Sequence, residues 1–251
     1  MAKVGGWAFA IGVAILIMSS GLVGYWLAPG ESSDHIDRES YYQVSTYGRL
    51  SEGGYRGMIP IDRLLEHGDF GIGTVEGIDG EMMVLDGVAY RAGTDLAPET
   101  VPAGTLIPFA MLTYFDETVS YQLSEELNYT TFKDRLDDVL QIYGVYAIMI
   151  EAELDSITIR SVPGQQEPYP PLVDVVANQT TLRLENVRGT MIGFYISEGL
   201  GDLNAPGFHM HFLSEDLSYG GHVLDVEFSG IEVIVDPIET CTVMVSESII
   251  A

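Results

Sequence analysis

Basic residues are scarce in this chain: Lys and Arg number 11 against 37 Asp and Glu, for a formal net charge of -26. Such an excess of carboxylates repels nucleic acid and anionic membrane surfaces, which excludes a DNA- or RNA-binding role. It also suits a saline surrounding, where an acidic surface keeps a protein solvated. A single cysteine, Cys241, excludes an internal disulfide and any cluster of thiolate metal ligands. Its expected place is that of a small buried apolar residue. No internal repeat is evident, and disorder is excluded by an apolar content of 47%, enough for a sizeable core in 251 residues.

Long apolar runs are also rare. From Trp7 to Ala28 the chain is apolar on every face and uncharged, close to the ~20 residues that span a bilayer. Lys3 in the preceding residues 1–6 keeps the short amino end cytoplasmic by the positive-inside rule, with the acidic remainder outside. The expectation is a membrane anchor over residues 7–28, or secretion if it is cleaved near Ser19 or Ala28, followed by a linker over 29–40.

Beyond Tyr41, short apolar runs separated by glycine-rich turns predict an α+β fold in two domains, of mostly antiparallel or mixed sheet with few helices, preceded by the transmembrane helix. Residues 41–165 form the expected N-terminal mixed-sheet domain and 166–251 a C-terminal β domain, with the proline-rich link Pro163–Pro171 between them. Tyr42–Tyr47 reads as a strand, and Ile61–His67 as a helix closed by a left-handed Gly68. Gly71–Gly77, Glu81–Leu85 and Val88–Ala92 read as a meander with tight turns at Asp79-Gly80 and Asp86-Gly87. Pro108–Phe115 is another strand, and Phe132–Tyr143 a helix capped through Thr131 and Asp134 and ended by Gly144. Two strands follow, Val145–Leu154 and Ile157–Val162. The second half reads as successive strands over Thr181–Leu184, Gly189–Ile196, Gly207–Leu213, His222–Ser229 and Ile231–Val235.

Five histidines are present, and three fall within the fourteen residues from His209 to His222. In an extended His209-Met210-His211-Phe212 segment the two imidazoles share a face while Met210 and Phe212 turn into packing. Ser214–Gly221 is long enough to reverse the chain and bring His222 to that face on the neighbouring antiparallel strand. A His-x-His pair alone is more often an ordinary hydrogen-bonded pair. The third imidazole shifts the balance to one divalent metal with an open coordination position, as catalytic sites have. Zinc suits three imidazoles best, with iron, manganese, copper and nickel left open. His35 falls in the linker and His67 at a helix end, and neither is assigned to catalysis.

From about Tyr42 to Asp236 the chain resembles the acetolactate decarboxylase family. The blocks that carry the resemblance include Tyr42-Gln43-Val44-Ser45, Gly53-Gly54-Tyr55-Arg56-Gly57, the run from His67 to Thr74, Asp79-Gly80-Glu81-Met82, Arg160-Ser161-Val162-Pro163, Gly189–Phe194 and the two histidine blocks ending in His222-Val223-Leu224-Asp225. The resemblance implies a two-domain homodimer that converts 2-acetolactate to acetoin and carbon dioxide. It also implies that His209, His211 and His222 are the metal ligands, that Glu81 and Arg160 are catalytic, and that Thr74 supports the site.

The chemistry fits those roles. Carbon dioxide loss leaves an enediolate, whose charge a chelated metal stabilises; an arginine fork binds carboxylate, and a buried glutamate can donate a proton. The family's second glutamate lies in a longer C-terminal tail; Glu247 and Glu239 are the candidates to stand in for it, neither singled out by its spacing, with a proton from Glu81 or metal-bound water alone as the alternative. Two other functions suit the same residues: an anchored metal- or ligand-binding module that has lost catalysis, and a cupin-like three-histidine oxygenase or isomerase.

Overall fold

Along the chain, apolar side chains alternate with polar ones at the two-residue period of strands, and the computed structural model converts that pattern into sheets. It describes residues 38–140, 144–201 and 203–245, within a unit spanning Asp37–Ala251. The expected anchor at residues 7–28 and His35 lie outside the described residues, among which no helix is long and apolar enough to cross a membrane.

The strands in chain order are β1 (Ser40–Val44), β2 (Ile59–Pro60), β3 (Phe70–Thr74), β4 (Glu81–Leu85), β5 (Val88–Ala92), β6 (Pro98–Thr100), β7 (Leu106–Ile107), β8 (Phe109–Thr113), β9 (Val119–Asn128), β10 (Val145–Ser161), β11 (Thr180–Ile196), β12 (Gly207–Ser214), β13 (Gly220–Ile238) and β14 (Thr240–Met244). Helices are short: α1 (Tyr47–Ser51), α2 (Ile61–Leu64), α3 (Tyr129–Asp137) and α4 (Leu172–Val176). The mostly-β architecture with few helices is therefore as expected.

A first sheet has the order β14-β1-β8-β3-β4-β5-β6, antiparallel except for the parallel β1–β14 pair, and β2 pairs with β7 beside it. A second sheet runs β10-β11-β12-β13-β9, all antiparallel. In it β10 also pairs with β13, so β10 to β13 close on themselves. In the first part of β10, the odd residues Val145 and Ala147 pack with Phe70, Ile72 and Met111 of the first sheet. Its even residues Ile148 and Ile150 pack inside the second sheet with Met210, Phe212 and Phe228. One strand thus feeds two cores, and β3 is buried along its whole length.

Several expectations need correction. The sheets change over near residues 114–118, and the proline-rich link joins β10 to β11 inside the second sheet. Val145–Leu154 and Ile157–Val162 are one strand, because Asp155 and Ser156 stay extended and bond across to Ser229 and Glu227. The strands read at 181–184 and 189–196 are likewise one, and those at 222–229 and 231–235 merge through a bulge between Ser229 and Ile231. Tyr47 opens a helix instead of ending a strand. Helix α3 starts earlier than expected, its capping box formed by Asn128 and Thr131. Gly68 is extended at φ 169°, and it is glycine because a Cβ would lie 2.5 Å from the Thr113 carbonyl oxygen. Cys241 is exposed on the edge strand β14.

Candidate active site

Ladder register aligns the three histidines. On β12, Met210 and Phe212 are fully buried in the second core, which turns His209 and His211 to the opposite face. Burying two such side chains contributes about 1.5–3 kcal/mol each, so a flipped register is strongly disfavoured. His211 lies directly across the ladder from His222 on β13, and Arg160 of β10 lies across from His222 on the other side. The rings stand 5.0–5.4 Å apart, centroid to centroid. One nitrogen from each falls within 4.8 Å of the others.

Their electrostatics suit a cation. His211 Nδ1 donates to the Met82 carbonyl oxygen at 2.9 Å, which leaves the lone pair on Nε2. That Nε2, together with His209 Nδ1 and His222 Nδ1, is buried without a hydrogen-bond partner. Burial, reinforced by the Arg160 charge, lowers His209 to about 4. Burial also pulls His211 and His222 well below the usual histidine value. Neutral, unpartnered imidazoles this close together can bind a metal ion.

Glu81 arrives from the other sheet. Asp79-Gly80, with Gly80 at φ 91°, turns the chain into β4 so that Glu81 opens the strand. Its Oε1 accepts from Arg160 Nη1 at 2.9 Å, and Oε2 lies 3.4 Å from His211 Nε2. Glu81 is 7% exposed, and burial raises its pKa against the opposing pull of Arg160. Thr74 Oγ1 donates to the Gly80 carbonyl at 2.7 Å, so it steadies the turn that presents Glu81.

These six residues line one cavity of about 620 Å³. The remaining wall is largely apolar, from Leu50, Ile78, Phe109, Leu172, Val176 and Phe208. The two flanking helices α1 and α4 could not be foreseen as walls, because their residues are distant in sequence and carry no chemical signal. Phe208 could have been suspected, as it sits beside His209. Glu239 does not join the site: it is exposed at the β13–β14 corner, where its backbone N–H bonds the Glu39 carbonyl at 2.8 Å. Glu247 lies outside the described residues. His67 stands apart, stacked on Tyr42 at 3.8 Å.

A family model described as alpha-acetolactate decarboxylase matches residues 41–249. An alpha-acetolactate decarboxylase of Methanosarcina mazei is 42% identical over 187 residues, which cover 74% of this chain and 65% of that protein, slightly less than two thirds of its length. One from Methylococcus capsulatus is 37% identical over 203 residues, 80% of this chain and 78% of the relative. Among solved structures, the Bacillus subtilis strain 168 alpha-acetolactate decarboxylase superposes with a TM-score of 0.80 at 30% identity, covering 84% of this chain and 90% of that one. With the family model spanning most of the chain and the relatives agreeing in sequence and in fold, this chain belongs to the alpha-acetolactate decarboxylase family of enzymes.

Proposed function

We propose that the chain decarboxylates 2-acetolactate to acetoin and carbon dioxide, with one divalent metal, zinc by preference, held by His209, His211 and His222. The observation that carries this reading is the set of three unpartnered imidazole nitrogens on the same cavity as the buried Glu81–Arg160 pair. A metal bound there supplies Lewis-acid stabilisation of negative charge on oxygen.

The chain's own residues account for the rest. The Arg160 guanidinium can fork onto the substrate carboxylate, which orients the bond that breaks. When the bond between the carboxylate carbon and the hydroxyl-bearing carbon breaks, carbon dioxide leaves and the electron pair moves into the adjacent ketone as an enediolate. The hydroxyl-bearing carbon must then receive one proton to give acetoin. Glu81 delivers it in this reading, which the burial that raises its pKa and the 3.4 Å from its Oε2 to His211 Nε2 support. Apolar walls limit water around the enediolate. Thr74 acts on Glu81 through the Gly80 carbonyl.

The same reading makes the chain a homodimer, tethered by residues 7–28 with its site outside the cytoplasm, or secreted if that segment is cleaved. Turnover in D2O tests the chemistry: one deuterium at the hydroxyl-bearing carbon of acetoin, with one carbon dioxide released, is the expected result. Consumption of oxygen, or metal binding with no turnover, would overturn it, the latter in favour of a binding module.

A further inference from the structure

We infer that Ser161 is a positioning residue, whose buried hydroxyl fixes the separation of Glu81 and Arg160 across the two sheets. The two partners of that ion pair come from different layers, Glu81 from β4 of the first sheet and Arg160 from β10 of the second. Ladder hydrogen bonds set distances only within each sheet. Backbone bonds cross between the layers on either side of the pair, from Gln165 N–H to the Gly77 carbonyl at 2.7 Å and from Gly220 N–H to the Leu96 carbonyl at 2.9 Å, and side-chain bonds refine the distance at the pair itself.

Ser161 follows Arg160 on β10 and is 0% exposed. Its Oγ donates to the Ala92 carbonyl oxygen at 2.8 Å. Ala92 is the ladder partner of Glu81 on β5. The hydroxyl thus ties the neighbour of one ion-pair residue to the cross-strand partner of the other. Two further bonds hold the Glu81 side of the arrangement: Thr74 Oγ1 to the Gly80 carbonyl, and Arg91 Nε to the Asp79 carbonyl at 2.5 Å. Only the Ser161 bond among these three reaches the strand that carries Arg160.

This bond has a property that the ion pair lacks. Under the proposed function, on which this inference rests, Arg160 must also engage the substrate carboxylate, and its grip on Glu81 is then shared. The Ser161–Ala92 bond is buried and neutral, and neither residue lines the cavity, so substrate does not compete for it. It keeps the Glu81 carboxyl at reacting distance while Arg160 is occupied.

The test is a cycle of Ser161→Ala and Glu81→Gln in the full chain, with crystal structures of the parent and of Ser161→Ala. Removal of the hydroxyl is expected to lower kcat about ten- to hundredfold, the scale on which small misplacements act, with KM and bound metal unchanged. Ser161→Thr, which keeps an Oγ, is expected to restore most of that loss, and Ser161→Ala is expected to add little in the Glu81→Gln background. Equal losses in both backgrounds would overturn the proposal. So would a Ser161→Ala structure that keeps Glu81 and Arg160 at the parent distance. That structural arm decides the question even if the parent protein does not turn over 2-acetolactate, a result that would count against the proposed function alone. If Ser161→Ala is insoluble, Ser161→Cys, a poorer donor at the same place, carries the same cycle.

Discussion

The histidine face of the cavity and the carboxylate that looks onto it are built by different means. His209, His211 and His222 sit on adjacent strands of one sheet, where ladder register and the burial of Met210 and Phe212 leave their rings one arrangement. Glu81 stands on another sheet, and its place relative to Arg160 rests on two backbone bonds between the layers, Gln165 to Gly77 and Gly220 to Leu96, and on individual side-chain bonds from Thr74, Arg91 and Ser161. The arrangement of the three imidazoles is therefore as robust as the fold. The position of Glu81 is as adjustable as those few side-chain bonds allow.

Breaking the histidine side is expected to have the largest effect. His211→Ala should lose bound metal and reduce acetoin formation by about 1000-fold or more, since the Lewis-acid contribution is several kcal/mol. Metal analysis beside kinetics checks this. Glu81→Gln should leave metal content intact and lower kcat by about 10²–10⁴, the usual worth of a positioned proton donor. A loss of metal in that variant would erase the distinction between the two regions.

Gly193→Ala tests the ladder itself. Gly193 faces Met210 on β12, and a Cβ there would collide with the His209 carbonyl oxygen. A cost of about 1–3 kcal/mol in unfolding free energy is expected, with weakened metal binding. Denaturant titration and metal competition measure both.

The smallest effect sharpens the comparison through pH. In metal-stripped protein the histidines have lowered folded-state values, so the unfolded chain binds more protons than the folded one as pH falls below the ordinary 6.5. Stability should be full above that value and decline as the pH drops towards about 4, the value for His209. Thermal unfolding across that window should show the decline, and metal should suppress it. A flat profile would mean that the imidazoles are solvated.

What could be read from the sequence follows the same division. The ligand face was legible because strand alternation and hairpin distance are local, so the spacing of His209, His211 and His222 was enough to place them together. The tight turn at Asp86-Gly87 was legible for the same reason, with positive φ at both residues, whereas the strand expected over Gly71–Gly77 ends at Thr74 and a 3-10 turn over Glu76–Ile78 precedes Gly80, so Asp79-Gly80 closes a longer connection instead of a tight hairpin. Glu81 and Arg160 were not recoverable from pattern alone, since a lone Glu in an acidic chain signals nothing and the contact spans 79 residues. They entered through the family resemblance. Strand lengths were missed where a polar pair such as Asp155-Ser156 looked like a turn but bonds across the ladder to Ser229 and Glu227. The sheet boundary was missed because a proline-rich link can join neighbours within one sheet as readily as two domains.

Acetoin formation from racemic 2-acetolactate, followed before chelation, after chelation and after zinc is restored, tests the central claim most directly. The account predicts turnover that disappears with the metal and returns with it. Full activity in metal-free protein would contradict it.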